Sequence, residues 1–107
     1  MVYSSKQNPT IKAIALLKDK KYRQKNNLYI AEGIKMVNDA IKFNQPIECI
    51  VVTSEMQVHL ENTNARILVV TSEVFAYISD ETTPQGALAI IKVNIPRIPN
   101  IIPFPLS

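Results

Sequence analysis

The sequence is poor in the residues that small reactive sites usually need. Its 107 residues include two glycines, Gly33 and Gly86, one cysteine, Cys49, and one histidine, His59. Two isolated glycines make no Gly-rich phosphate loop, and there is no Ser/His or Cys/His motif context and no paired-carboxylate spacing of the kind that marks general acid/base work. No catalytic residue is therefore assigned. A lone cysteine excludes an internal disulfide, and one Cys with one His gives no all-protein zinc cluster, so no metal ligand is assigned either. Cys49, inside the apolar run Ile47-Glu48-Cys49-Ile50-Val51-Val52, reads as a buried strand residue, because free Cys is among the most buried residue types. His59 has no evident base, nucleophile or metal partner and is expected to face solvent. No apolar run approaches the roughly 20 residues that span a bilayer. The opening Met-Val-Tyr-Ser-Ser-Lys lacks the hydrophobic stretch of a secretory signal. A cytoplasmic protein without membrane contact is the expectation.

What is present is a sequence of one-domain size with 47% hydrophobic residues and a net charge of +3, within the usual range of a single globular domain. The charge is lopsided. Residues 1–25 carry seven basic side chains against Asp19 alone, whereas the remaining residues hold five basic against eight acidic. An excess of cations confined to one end suits a phosphate backbone. It equally suits a solvated, Lys-rich helix end.

Along the chain, Asn8-Pro9-Thr10 is a helix start, with Asn as cap and Pro at the first helical position. Ile11, Ile14 and Ala15 recur on one helical face, a stripe that ends at Leu17 and leaves Lys12 pointing away from the core. The polar stretch from Asp19 to Asn27 ends or distorts this helix, and Asn26-Asn27 is a turn before a first strand, Leu28-Tyr29-Ile30-Ala31. Glu32-Gly33 marks a junction to a helix carrying Ile34, Val37, Ala40 and Ile41 as far as about Phe43. After Pro46, Ile47 to Thr53 reads as a second strand, and Ser54 to Gln57 has the form of a capping box that opens a short helix to about Glu61. Arg66 to Val70 is a third strand, Thr71 caps a helix with Val74, Phe75 and Ile78 on one side, and the turn 82–86 leads to a fourth strand, 87–93, apolar enough to be buried on both faces. This alternation predicts an α/β fold, a sheet with helices on both sides.

Pro96, Pro99, Pro103 and Pro105 crowd the end of the chain among Ile98, Ile101, Ile102, Phe104 and Leu106. Proline neither donates to a ladder nor continues a helix, so this is an extended segment, stiffer than a Gly/Ser linker. The expected organisation is a domain over 1–94 and a Pro-rich connection over 95–107. A C-terminal arm lying on its own domain is the other reading.

Several of these pieces occur together in one known order. Asn8-Pro9-x-Ile11-Lys12, Lys20-Lys21-Tyr22-Arg23, Leu28-Tyr29-Ile30-Ala31-Glu32-Gly33 and Thr83-Pro84-Gln85-Gly86 follow a pattern that resembles the N-terminal domain of SpoU/TrmH-type RNA 2'-O-ribose methyltransferases. The resemblance runs from residue 4 to residue 93. It implies a three-layer α/β/α sandwich like that of kink-turn-binding ribosomal proteins, acting as the substrate-recognition module for ribosomal or transfer RNA. It also implies a following knotted domain that binds S-adenosylmethionine, carries out methyl transfer and usually forms a homodimer. That domain's first motif, Asn-x-Gly with an Arg four residues on, has no counterpart here. No cofactor site and no methyltransferase activity are therefore expected of these 107 residues alone.

Within this frame Lys12, Lys20, Lys21, Arg23 and Lys25 are the candidate RNA contacts, since cations that neutralise phosphates release counterions. The planar fork of Arg23 can grip a phosphate or stack on a base; its competing role is an ion pair with Glu32. Tyr22 is a candidate base-stacking platform and equally a packing residue under the loop. Structural roles are assigned to Asn8 as a cap, to Glu32, to Gly33 as a backbone position needing freedom, and to Pro84 and Gly86 as turn chemistry. Two other functions compete: a stand-alone kink-turn-binding protein, and a protein-interaction or dimerisation module that uses the apolar tail.

Overall fold

In a computed structural model that describes residues 2–93, the chain runs β1 (Val2–Tyr3), α1 (Pro9–Ala15), a turn of 3₁₀ helix (Leu16–Lys18), α2 (Lys20–Lys25), β2 (Leu28–Glu32) and α3 (Ile34–Lys42). It continues through β3 (Ile47–Thr53), α4 (Ser54–Gln57), β4 (Ile67–Val70), α5 (Ser72–Ile78) and β5 (Ala87–Lys92). The strands form one sheet in the order β1-β4-β3-β5-β2. β1 and β4 pair in parallel, as do β4 and β3, while β5 runs antiparallel to both β3 and β2. No helix among the described residues is long and apolar enough to cross a membrane.

Because successive strand residues face opposite sides, an apolar run such as Ile50-Val51-Val52 feeds two cores at once. Cys49, Val51, Leu68, Val70, Leu88 and Ile90 face Ile11, Ile14, Leu17, Val74, Phe75 and Ile78 from α1, the 3₁₀ turn and α5. Ile50, Val52, Ala87, Ala89, Ile91 and Ala31 face Val37 and Ala40 of α3 on the other side. The alanines on this second side let α3 lie close against the sheet. The result is the predicted three-layer sandwich, with α1, α2 and α5 on one face and α3 and α4 on the other.

Several local details differ from the sequence reading. β1 adds an edge strand tied down by the Thr71 N–H donating to the Tyr3 carbonyl at 3.0 Å; two residues are too few to show alternation. The stretch after Leu17 is a separate helix, α2. Asp19 adopts an extended backbone that ends the 3₁₀ turn, and its carboxylate then accepts from the Lys21 N–H at 2.9 Å as the cap of α2. The cap of α4 is Thr53, whose hydroxyl accepts from the Met56 N–H at 3.3 Å, so the helix starts one residue earlier than a Ser54 cap would set it and ends at Gln57. Asn8 and Thr71 cap α1 and α5 as expected. The Pro-rich segment and the boundary assigned at 94–95 lie outside the described residues.

Cys49 is 5% exposed, and burial pushes its thiol up to about 11, against a lowering by Arg66 and a smaller raising by Glu48. The thiolate is the nucleophile, so the native chain at neutral pH should resist alkylation by iodoacetamide and react only after denaturation. Rapid modification of the folded chain would contradict this packing. Ile11, fully buried beneath α1, should cost about 2–5 kcal/mol on replacement by Ala, measured by urea unfolding.

Candidate nucleic-acid interface

The basic end of the chain is built around two anchored side chains. The Arg23 Nη1 donates to the Leu17 carbonyl at 2.7 Å and to the Lys18 carbonyl at 3.2 Å. These carbonyls end the 3₁₀ turn, where exposed acceptors favour a cation, and the contact fastens α2 to the preceding turn. Arg23 forms no ion pair with Glu32; the proposed competitor is replaced by this carbonyl clamp. The Lys18 ammonium donates to the Tyr77 carbonyl at 2.8 Å and sits 5.2 Å from the centre of the Tyr77 ring, with Lys6 at 5.9 Å from the same ring.

Around these anchors Lys12, Lys20, Lys21 and Lys25 are exposed. Their one acidic neighbour in sequence, Asp19, is engaged as a helix cap, and none of them is in an ion pair among the described residues; the one such pair joins Lys92 and Glu48 at 3.3 Å. Lys21 and Lys25 stand four residues apart, as neighbours on one face of α2. Lys20 and Arg23 share a depression with Gln24, Asn27, Tyr29 and Val93. Lys12 lies on α1 and lines none of the clefts that α2 shares with β2.

Tyr22 is half-buried against the core under α1 and α5 and lines an apolar groove with Ile14, Leu28 and Ile90. That is the packing role of its two readings. Beside α2 the accessible aromatic is Tyr29, 40% exposed on the edge strand β2 and bordering the depression with Lys20 and Arg23; the sequence reading takes it only as a strand residue. By strand alternation Tyr29 points to the side of the sheet opposite Leu28 and Ile30, the side on which Ala31 packs under α3.

The residues assigned structural roles converge at the end of the sheet where β2 stops and β5 starts. The Ser79 Oγ lies 2.9 and 2.8 Å from the two Glu32 carboxylate oxygens, and the Gln85 N–H donates to Glu32 Oε2 at 3.1 Å. Ser79 is buried, and its hydroxyl also accepts from the Glu81 N–H at 3.1 Å. Glu32 thus clasps both ends of the 79–86 loop. Gly33, at φ +111°, turns the chain from β2 into α3 while its N–H donates to the Ala87 carbonyl at 2.8 Å. Gly86, at φ +82°, is closely covered: a Cβ there would lie 2.8 Å from Met56 Cγ and 3.3 Å from Thr53 Oγ1. Pro84 and Gln85 border a cleft with Glu55 and Met56.

Between the 3₁₀ turn with α2 and the end of α5 lies a cleft of about 320 Å³. Leu17, Ile30, Ile78 and Leu88 supply its apolar lining, and Lys18 and Arg23 meet Glu32, Asp80 and Glu81 across it.

The family model for the MRM3-like substrate binding domain matches residues 8–89, and the chain belongs to that family. Among solved structures it is similar to the AdoMet-bound rRNA methyltransferase from Sinorhizobium meliloti, with 26% identity and a TM-score of 0.70 over 88% of this chain and 37% of that one. An RNA 2'-O ribose methyltransferase (24% identity, TM-score 0.74, 98% of this chain and 42% of that one) shares the fold. So does the SpoU methyltransferase AviRb from Streptomyces viridochromogenes (11%, 0.64, 92% and 40%). The chain spans about two fifths of the length of these proteins. No curated protein matches it.

Replacing Ser79 by Ala removes the hydroxyl that links Glu32 to the Glu81 amide, and should cost about 1–3 kcal/mol through the partners left unsatisfied. Hydrogen exchange at the Glu81 and Gln85 amides should accelerate together. Unchanged exchange at both would show that the clasp does not hold the loop.

Proposed function

We propose that this chain is the RNA-binding, substrate-recognition domain of an RNA 2'-O-ribose methyltransferase, working in the cytoplasm on ribosomal or transfer RNA. The observation that carries the reading is the set of exposed cations free of ion pairs, Lys12, Lys20, Lys21 and Lys25, gathered on the α1–α2 layer of a domain from this family. Such cations gain affinity by displacing counterions from a phosphate backbone, independently of sequence. The residues of α2 supply the phosphate contacts, Arg23 holds them in place, and Tyr29 offers an aromatic face at the open sheet edge.

Residues 1–94 act as the recognition unit and 95–107 as its connection to a following domain. Methyl transfer, S-adenosylmethionine binding and homodimerisation belong to that domain.

Titration with structured ribosomal RNA fragments at two salt concentrations tests the reading. A Lys20→Ala, Lys21→Ala variant leaves the Arg23 clamp intact, so its fold should persist. Its affinity should fall, and the dependence of log K on log salt should flatten by about two units. Equal affinity and slope in the two proteins would remove α2 from the interface. Association that resists added salt would instead favour a protein-interaction module.

A further inference from the structure

We infer that the cleft between α2 and the end of α5 is a nucleotide pocket that takes one unstacked guanine of the RNA, a step that rests on the RNA reading above. The cleft divides its charges by element. Lys18 and Arg23 come from the 3₁₀ turn and α2, while Asp80 and Glu81 follow α5 and Glu32 ends β2. Both cations are pre-positioned by backbone carbonyls, and each retains N–H donors for a ligand, since an ammonium carries three and a guanidinium five. Glu32 is occupied by Ser79 and Gln85. Asp80 and Glu81 are exposed, and their carboxylates have no hydrogen-bond or ion-pair partner among the described residues.

This division orients a nucleotide. Carboxylates repel phosphate, so the phosphate lies on the Lys18 and Arg23 side, next to the cations of α2. The base then enters over Ile30, the partly exposed apolar residue of the lining, and presents its edge to Asp80 and Glu81. A carboxylate accepts hydrogen bonds and donates none. Guanine offers it two adjacent donors, N1–H and N2–H. Uracil has a single N3–H flanked by two carbonyl oxygens, which a carboxylate repels. Glu32 acts as a positioning residue, holding the segment that carries Asp80 and Glu81.

The test uses the full chain and labelled hexamers in fluorescence anisotropy at low salt: hexauridine, and the same hexamer with one central guanine. The guanine oligomer should bind about tenfold more tightly, the scale of one bidentate base contact. An Asp80→Asn, Glu81→Gln variant, altered only at exposed positions, should bring that ratio close to one without weakening hexauridine binding. Equal affinity for the two oligomers, or a guanine preference that persists in the variant, overturns the pocket. If structured RNA still binds with Lys20- and Lys21-dependent salt sensitivity, the pocket alone fails; if no RNA binds, both readings fail.

Discussion

The carboxylate of Glu32 is the interaction on which the working end of this domain depends. β2 is an edge strand, held to the sheet on one side only, through β5. At its last residue the chain places a charged group that must be satisfied, and the Ser79 hydroxyl and Gln85 amide do so. One side chain therefore joins the edge strand, the end of α5 and the lead-in to β5, the interior strand beside it. Hydrogen bonds to an ionised acceptor are about twice as strong as neutral ones, and here they fix a loop of exposed polar residues that has little apolar surface of its own to bury.

The Arg23 clamp plays the complementary part on the other side of the cleft. Helix α2 has six residues, too few to be stable alone, and it buries no residue fully. Its cap by Asp19, the packing of Tyr22 and the grip of Arg23 on the Leu17 and Lys18 carbonyls hold it in place. A short helix held in this way can carry Lys20, Lys21 and Lys25 outward at fixed spacing, because its own stability does not depend on them. The most specific-looking basic residue in the sequence thus builds the surface through one nitrogen and lines the cleft beside it, while the featureless lysines around it face outward.

The layers of the fold were legible because the apolar runs are long and their periods clean. Val37 and Ala40 mark a helix face, and Ala87 to Ile91 mark a strand buried on both sides. Asn8 and Thr71 were readable as caps from residue type and position. β1 and α2 were not, for different reasons. Val2–Tyr3 has no periodicity to read, and the polarity of 19–25 imitates a loop because its helix packs mainly through Tyr22. The division of labour within the site was also hidden. Arg23 and Glu32 look like a pair by charge, yet Arg23 is satisfied by carbonyls 5 and 6 residues away and Glu32 by donors 47 and 53 residues away. Tyr22 and Tyr29 are alike in composition, and only their place relative to the core makes one a packing residue and the other an accessible ring.

The central claim is that RNA meets the face carrying α2, the β2 edge and the cleft beside the end of α5, leaving the α3–α4 layer uninvolved. Amide chemical-shift mapping of the isotope-labelled chain during titration with a ribosomal RNA fragment addresses it most directly. The account predicts that the perturbed amides cluster in residues 18–29 and 78–82. Perturbations concentrated on α3 and α4, with those segments unmoved, would contradict it.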